Sequence, residues 1–147
     1  MNIQIAKLSF KVKSKSIQVY VEKAADGTYW GTSQNYEGIV STYGNSFEEL
    51  NENFEQAFAD NIEIAKEVGE EYADKYDKVS FDYKMDLSSF FNLFKEVNIT
   101  AIAEKSELNA SLVRQYKTGA KQASVQQTHK IERAIHELGR ELLSIKF

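Results

Sequence analysis

The segment ITAIAEKSELNASLVRQYKTG, residues 99–119, carries two short helical patterns separated by a tight connection. A small residue, Ala103, stands where two crossing helices would approach each other closely. Apolar side chains recur around it at the spacing of buried anchors: Ile102, Leu108, Leu112, Val113 and Tyr116. This spacing predicts a helix-turn-helix, in which the second helix of the pair lies in the major groove of DNA.

The connection between the two predicted helices has one regular and one unusual feature. Asn109 is well placed to cap the second helix, because its side-chain oxygen can accept a backbone N–H of the first turn. Glu107 occupies the turn position at which helix-turn-helix motifs often have glycine, the residue best suited to a left-handed backbone. We therefore expect either a modest conformational cost at Glu107 or a slightly different turn.

Polar side chains dominate the outer face of the second helix once the anchors turn inward. Four of them share that face: Ser111, Arg114, Gln115 and Thr118. In a major groove, Arg pairs with guanine, Gln with adenine, and Ser or Thr with either. Further residues lie where contacts to phosphate usually set the register: Lys117, Lys121, Gln122 and Ser124. We predict that both groups bind DNA; the alternative is an ordinary solvated helix face.

Charge is divided unevenly along the chain, whose formal net charge is −4. Residues 1–98 hold 10 Lys and Arg against 17 Asp and Glu, a balance of −7. Residues 99–147 hold 8 against 5, a balance of +3. Because binding to phosphate depends on the local field, the acidic total does not exclude a nucleic-acid partner. The asymmetry predicts two functions in two halves of the chain.

The composition also argues against several classes of protein. The chain has no cysteine, which excludes a disulfide framework and a thiolate metal site and is compatible with a reducing cytoplasm. No run of about 18 apolar residues is present, and four lysines interrupt the apolar positions of residues 1–16. We therefore expect a cytoplasmic protein without a membrane span or a secretory signal, and without a cofactor.

Residues 1–85 show the alternation of a half-buried sheet. Strands are predicted over residues 17–24, 28–34, 38–44 and 79–85, with a less regular candidate over residues 3–12. Asp26-Gly27 is predicted to form the tight turn of a hairpin. Together with one helix, these strands predict an α+β domain.

The helix of this domain is predicted to begin at Ser46, which has the capping-box spacing to Glu49, and to end at Gly69. Its apolar stripe, which must pack on the sheet, consists of Phe47, Leu50, Phe54, Phe58, Ile62 and Ala65. Residues 70–78 are predicted to form a polar connection to the last strand.

From Asp86 onward the pattern is helical, which predicts an all-α domain over residues 86–147. Helices are predicted over residues 87–97, 100–106, 109–119 and 125–145. The first is capped by Asp86 and is expected to bury Phe90, Phe91, Phe94 and Val97. The last carries an apolar stripe of Ile131, Ile135, Leu138 and Leu142, and Leu143, Ile145 and Phe147 add apolar surface near the end of the chain. These residues either complete the core of one chain or join two chains as a homodimer or a higher homo-oligomer.

The order of these features resembles the HicB family of antitoxins, in the subgroup with a C-terminal Xre-like (lambda repressor-like) helix-turn-helix domain. The resembling segments are YVEKAADGTYWGTSQNYEGIVSTYGNSFEELNENFEQAF, residues 20–58, and SLVRQYKTGAKQASVQQTHKIERAIHELGRELLSI, residues 111–145. This chain departs from the family pattern at Glu107, where the turn usually has Gly, and at Ala123, where relatives commonly have Pro.

The resemblance implies a partial RNase H-like fold for residues 1–85, without nuclease activity. It also implies two partners: a HicA-like toxin that cleaves mRNA, which the antitoxin binds and blocks, and the operator DNA of the protein's own operon, which the complex represses. Two alternatives stay open. One is a stand-alone DNA-binding regulator without a toxin, and the other is a protein-interaction module that does not bind DNA.

Catalysis and metal binding have weaker support in the sequence. An RNase H-type nuclease needs several convergent carboxylates, but the four in the predicted sheet region have simpler interpretations in a turn, a loop or a solvated strand face: Glu22, Asp26, Glu37 and Asp82. His129 and His136 are seven residues apart on one helix, too far for a shared tetrahedral metal. We therefore expect no enzyme and no metal site.

Aromatic residues on and around the predicted sheet are the candidates for binding the protein partner: Tyr29, Trp30, Tyr36 and Tyr43. A stacking platform for single-stranded nucleic acid is the alternative, and the acidic balance of this half argues against it. Tyr29 and Trp30 are adjacent on one strand, so they are expected to point to opposite faces.

Overall fold

The computed structural model describes residues 14–147, so the predicted strand over residues 3–12 lies outside the described part of the chain. The chain divides into two compact units, the first ending at Met85 and the second running from Asp86 to Phe147. The first unit combines a sheet with a helix and the second is helical, which makes the protein α+β. Over residues 14–147, no helix is both long and apolar enough to cross a bilayer.

Four strands form the sheet of the first unit: β1 (Lys15–Lys23), β2 (Tyr29–Ser33), β3 (Ser41–Gly44) and β4 (Val79–Lys84). Their spatial order is β3-β2-β1-β4. The first three strands pair antiparallel, whereas β4 lies parallel to β1 after a crossover through helix α1 (Phe47–Glu67). The sheet is therefore mixed. Helix α1 provides the long crossover connection that a parallel pair of strands requires.

Helix α1 covers one face of this sheet. The alternating residues Ile17, Val19 and Val21 of β1 are buried beneath it. The predicted stripe of α1 is confirmed: five residues are buried, namely Leu50, Phe54, Phe58, Ile62 and Ala65, and Phe47 is half-buried. Gly31 allows this close packing, because a Cβ there would lie 3.0 Å from the Val19 side chain and 3.2 Å from that of Leu50.

The start of α1 confirms half of the predicted capping box. The Ser46 hydroxyl accepts the Glu49 amide at 3.0 Å, as expected of an N-cap serine. The Glu49 carboxylate, however, accepts the amide of Asn45 at 3.0 Å and not that of Ser46. The reciprocal bond is therefore displaced by one residue toward the preceding loop.

Two predictions about the first unit are wrong in detail. Residues 70–78 are not simply a polar connection, because Glu71–Tyr76 forms a 3-10 helix with Ala73 and Tyr76 buried. The third strand begins at Ser41 and not at residue 38. The preceding loop is held by its own contacts instead: Ser33 exchanges hydrogen bonds with Val40, and the Tyr36 hydroxyl donates to Asn61.

The second unit contains α2 (Leu87–Leu93), α3 (Ile99–Lys105), α4 (Ala110–Thr118) and α5 (Val125–Ser144). Each helix begins with a side-chain cap, in chain order Asp86, Asn98, Asn109 and Ser124. The buried core consists of Phe91, Ile102, Ala103, Val113, Tyr116 and Ile131. Helix α2 ends at Leu93, earlier than predicted, and Phe90, Phe94 and Val97 are only half-buried.

Candidate functional site

The connection between α3 and α4 contains a left-handed residue at the position singled out in the sequence. Glu107 has φ 58°, and it is the only non-glycine residue with a positive φ among residues 14–147. Its amide donates to the Glu104 carbonyl at 3.0 Å, and the next amide, of Leu108, donates to Ala103 at 2.8 Å. This pair of bonds is a Schellman motif, which usually has glycine at the left-handed position.

Helix α4 is anchored at both of its ends. Asn109 caps the start as predicted, since its Oδ1 accepts the Ser111 amide at 2.8 Å. At the other end, Gly119 adopts φ 79°. The Lys117 carbonyl, which has no partner within the helix, accepts the Ser88 hydroxyl at 2.7 Å and the side-chain Nδ2 of Asn92 at 3.2 Å. These two residues of α2 were not foreseen from the sequence.

The inner face of α4 is buried as predicted, with Val113 and Tyr116 almost inaccessible to solvent. Burial raises the pKa of the Tyr116 hydroxyl, which donates to Gln127 of α5 at 2.6 Å. Ala103 of α3 is fully buried, in agreement with its predicted place at the crossing. The apolar side of α4 is therefore fixed against both neighbouring helices, and its polar side faces outward.

Seven of the eight predicted DNA-binding residues are exposed: Ser111, Arg114, Gln115, Thr118, Lys121, Gln122 and Ser124. Lys117 is half-buried. Two of the hydroxyls already have local partners. Thr118 donates to the Gln115 carbonyl at 3.2 Å, and Ser124 accepts the Gln127 amide as the N-cap of α5. The other five exposed residues make no hydrogen bond of this kind within their own segment: Ser111, Arg114, Gln115, Lys121 and Gln122.

One contact of this surface links α4 to α3 and is not indicated by the sequence. The Arg114 Nη2 donates to the Thr100 Oγ1 of α3 at 2.8 Å. The two residues are 14 positions apart, and no local pattern in the sequence indicates that they meet. The contact ties a predicted base-contacting side chain to the neighbouring helix.

The electrostatic character of the α4 surface follows from a local absence of acids. Residues 108–131 contain no Asp or Glu, but they contain four cationic side chains: Arg114, Lys117, Lys121 and Lys130. The nearby Lys105 is already neutralised, because its Nζ lies 2.9 Å from Glu141 and 3.6 Å from Glu137 of α5. The Glu141 carboxylate raises the pKa of Lys105. Of the four cations in this stretch, Arg114 and Lys117 lie on α4, Lys121 lies in the segment that follows it, and Lys130 lies on α5.

In the first unit, the structure separates the four predicted partner-binding aromatics. Trp30 and Tyr43 lie on the sheet face opposite α1, with ring centroids 5.1 Å apart and relative exposures of 41% and 50%. Tyr29 packs against Phe47, and Tyr36 against Phe58, both on the α1 side. The expected opposite orientation of Tyr29 and Trp30 is confirmed, and only Trp30 and Tyr43 share an open surface.

Three of the four carboxylates considered for catalysis accept a hydrogen bond from a hydroxyl group. Asp26 accepts the Thr28 hydroxyl and amide, and these bonds lower its pKa. Glu37 accepts the Tyr76 hydroxyl, which lowers the pKa of Glu37. Asp82 accepts the Ser16 hydroxyl at 2.5 Å. Among residues 14–147, no three His, Asp or Glu side chains lie close enough together to hold a metal ion.

Comparisons of this chain with protein-family models, with characterised proteins and with solved structures gave no significant match.

Proposed function

We propose that this protein is a HicB-like antitoxin, which binds DNA through a helix-turn-helix formed by α3 and α4 and binds a HicA-like toxin through its first unit. The observation that carries the DNA-binding part is the outer face of α4. This face presents Arg114 and Gln115 to solvent, and Lys121 is exposed just beyond the helix; all three lie in a 24-residue stretch, residues 108–131, that has no carboxylate. In a chain with net charge −4, such a stretch provides a local positive field for phosphate.

The proposed roles follow from side-chain chemistry. Arg114 and Gln115 are placed to contact guanine and adenine, with Ser111 and Thr118 assisting. Lys117 and Lys121 hold phosphates, with Gln122 and Ser124 nearby, and so set the register of the helix on the duplex. The left-handed Glu107 and the buried Ala103 support a helix-turn-helix, because both are at the positions where that motif needs a sharp turn and a close crossing.

The topology of the first unit supports a partial RNase H-like fold. An antiparallel β1-β2-β3 meander is followed by α1 and by β4 parallel to β1, in the spatial order β3-β2-β1-β4. In the proposed function this sheet binds a protein and has no nuclease activity.

The toxin-binding part of the proposal depends on the Trp30–Tyr43 pair. Exposed aromatic residues of this kind are favoured anchors in protein interfaces. The unit that carries them is acidic, since residues 1–85 hold 9 Lys and Arg against 15 Asp and Glu, a balance of −6. A small basic protein that cleaves mRNA has the complementary charge. Both proposed partners would be met in the cytoplasm.

Homodimerisation through the end of α5 completes the proposal. Four large apolar side chains are exposed there: Leu142, Leu143, Ile145 and Phe147. A contiguous exposed apolar patch commonly marks an interaction site. A helix-turn-helix protein that recognises two half-sites about one DNA turn apart needs two copies of α4. Pairing of two chains at this apolar end would cover the exposed residues and supply the second copy.

Fluorescence anisotropy tests the DNA-binding part. The protein is titrated onto a labelled duplex taken from upstream of its own coding sequence, and onto a random duplex of equal length, at several salt concentrations. We expect tighter binding to the upstream duplex, with an affinity that falls steeply with salt because counterions are released from phosphate. Absence of binding to either duplex at low salt would leave the protein as a protein-interaction module.

Mixing the protein with a purified HicA-like toxin tests the other part. We expect a stable complex on size-exclusion chromatography and loss of mRNA cleavage by the toxin. DNA binding without such a complex would instead indicate a stand-alone regulator.

A further inference from the structure

The Arg114 side chain of α4 is hydrogen-bonded to Thr100 of α3. Both residues are exposed, yet the guanidinium Nη2 donates to the Thr100 hydroxyl at 2.8 Å. Hydrogen bonds in which the donor is charged are stronger than neutral ones. The bond therefore restrains a long, flexible side chain that would otherwise sample many rotamers in water.

Thr100 is a rigid point of attachment. It lies in the first turn of α3, whose N-cap Asn98 accepts the amide of Ala101 at 3.0 Å. The following residues of α3, Ile102 and Ala103, are buried in the core together with Val113 of α4. The backbone at Thr100 is thus fixed relative to α4 by the packing of the two helices.

The restraint leaves Arg114 able to bind a ligand. A guanidinium has several N–H donors in a planar fork, and the bond to Thr100 uses only one of them. A guanine is recognised by two parallel donors of such a fork, so the orientation of its plane decides whether both bonds form. Holding the plane before binding removes part of the entropy that ordering the side chain would otherwise cost.

We propose that Thr100 is a positioning residue that sets the sequence preference of the DNA-binding surface by orienting Arg114. This inference rests on the proposed function, since it assigns Thr100 a role in selecting DNA sequence. Thr100 acts through Arg114 and is not itself a base contact. Its loss therefore weakens binding to the preferred duplex more than binding to random DNA.

A direct phosphate contact by Thr100 is the competing explanation, and the two make different predictions. A residue that contacts phosphate contributes alike to all DNA sequences. A residue that only orients Arg114 contributes nothing once Arg114 has been truncated, because the energies of coupled residues are not additive. A double-mutant cycle on Thr100 and Arg114 separates these cases.

The experiment uses the full chain with T100V, T100S, R114A and the double variant T100V/R114A, each titrated onto the upstream and the random duplex. T100V is expected to lower the preference for the upstream duplex by roughly three- to tenfold. T100S, which keeps the hydroxyl, is expected to retain the wild-type preference. In the R114A background, T100V is expected to have no further effect.

The mobility of Arg114 in the free protein provides a measurement independent of DNA. The heteronuclear NOE of the Arg114 Nε–H is expected to fall in T100V and to keep its wild-type value in T100S. An unchanged NOE in T100V, or an equal loss of binding on both duplexes, would overturn the positioning role alone. A wild-type protein that binds neither duplex would overturn the proposed function as well.

Discussion

The amide of Leu108 donates to the carbonyl of Ala103 at 2.8 Å, across a residue, Glu107, whose φ is 58°. This bond ends α3, and the next residue, Asn109, is the N-cap of α4. A side chain at a left-handed position crowds its own backbone, at a cost of about 1–2 kcal/mol. The turn that sets the direction of the candidate DNA-binding helix therefore includes a conformational cost at Glu107.

Replacement of Glu107 by Gly is expected to stabilise the protein. Glycine adopts a positive φ without steric cost but loses more backbone entropy on folding, so the net gain in unfolding free energy is about 0.5–1 kcal/mol. Urea denaturation measures this change in unfolding free energy. Glu104→Gly is the matched control, because it removes the same charge within α3 and should destabilise by a similar amount. A loss of stability in Glu107→Gly would show that its carboxylate has a compensating role.

Arg114→Ala and Lys121→Ala are expected to differ in their effects on DNA binding. Arg114→Ala should cost about 1–3 kcal/mol on the preferred duplex and relax the sequence preference. Lys121→Ala should weaken binding to all duplexes alike and reduce the salt slope by about one. Anisotropy titrations measure both effects, with Arg133→Ala on the exposed face of α5 as the control for loss of one positive charge. Equal losses on preferred and random DNA in both variants would contradict this division of roles.

Trp30 is the only tryptophan of the chain and reports on the open sheet face. Its indole N–H donates to the Thr28 hydroxyl at 3.1 Å and its ring packs against that of Tyr43 at an angle of 31°, while 41% of the residue remains exposed. Burial of the ring by a bound toxin should shift its fluorescence to shorter wavelength. Trp30→Ala should cost about 2 kcal/mol or more of toxin binding. Ile64→Ala, on an exposed position of α1, is the comparison variant, and an equal loss there would argue against the Trp30–Tyr43 surface.

Leu143→Lys is expected to convert the proposed homodimer into a monomer. Leu143 is 86% exposed at the end of α5, so a charge there costs the single chain little, whereas the same charge buried between two chains would be strongly unfavourable. Sedimentation velocity distinguishes the two species. Val125→Lys provides the control, because Val125 is 73% exposed at the opposite end of the same helix. A wild-type monomer at high concentration would refute dimerisation.

Stability should fall at alkaline pH, in part through Tyr83. Burial raises the pKa of its hydroxyl to about 12, from an ordinary value of 10.0. Between these values the unfolded chain loses the phenolic proton while the folded chain retains it, so the contribution present below pH 10 disappears as pH rises. Tyr83→Phe should therefore narrow the difference in urea midpoint between about pH 8 and pH 11. The hydrogen bond of the Tyr83 hydroxyl to the Asn51 carbonyl is long, 3.4 Å, so the variant should keep its stability near neutral pH.

Local patterns in the sequence were sufficient for most of the elements. The alternation of Ile17, Val19 and Val21 and the stripe of α1 predict which faces are buried, because each depends only on the period of its own element. Asn109 was likewise identifiable as a cap, since it bonds an amide two residues away. The 3-10 helix at Glu71–Tyr76 was missed because Tyr76 is held by Glu37, 39 residues earlier in the chain.

The sequence by itself determined the helical and strand periods, the caps and the carboxylate-free stretch over residues 108–131, all of which are set by neighbours a few positions apart. Only the tertiary structure decided which side chains meet. In the folded chain Trp30 lies beside Tyr43, Tyr36 packs on the sheet face covered by α1, and Thr100 is hydrogen-bonded to Arg114. These relationships depend on strand pairing and helix packing between distant segments, which the spacing of residues along one element does not encode.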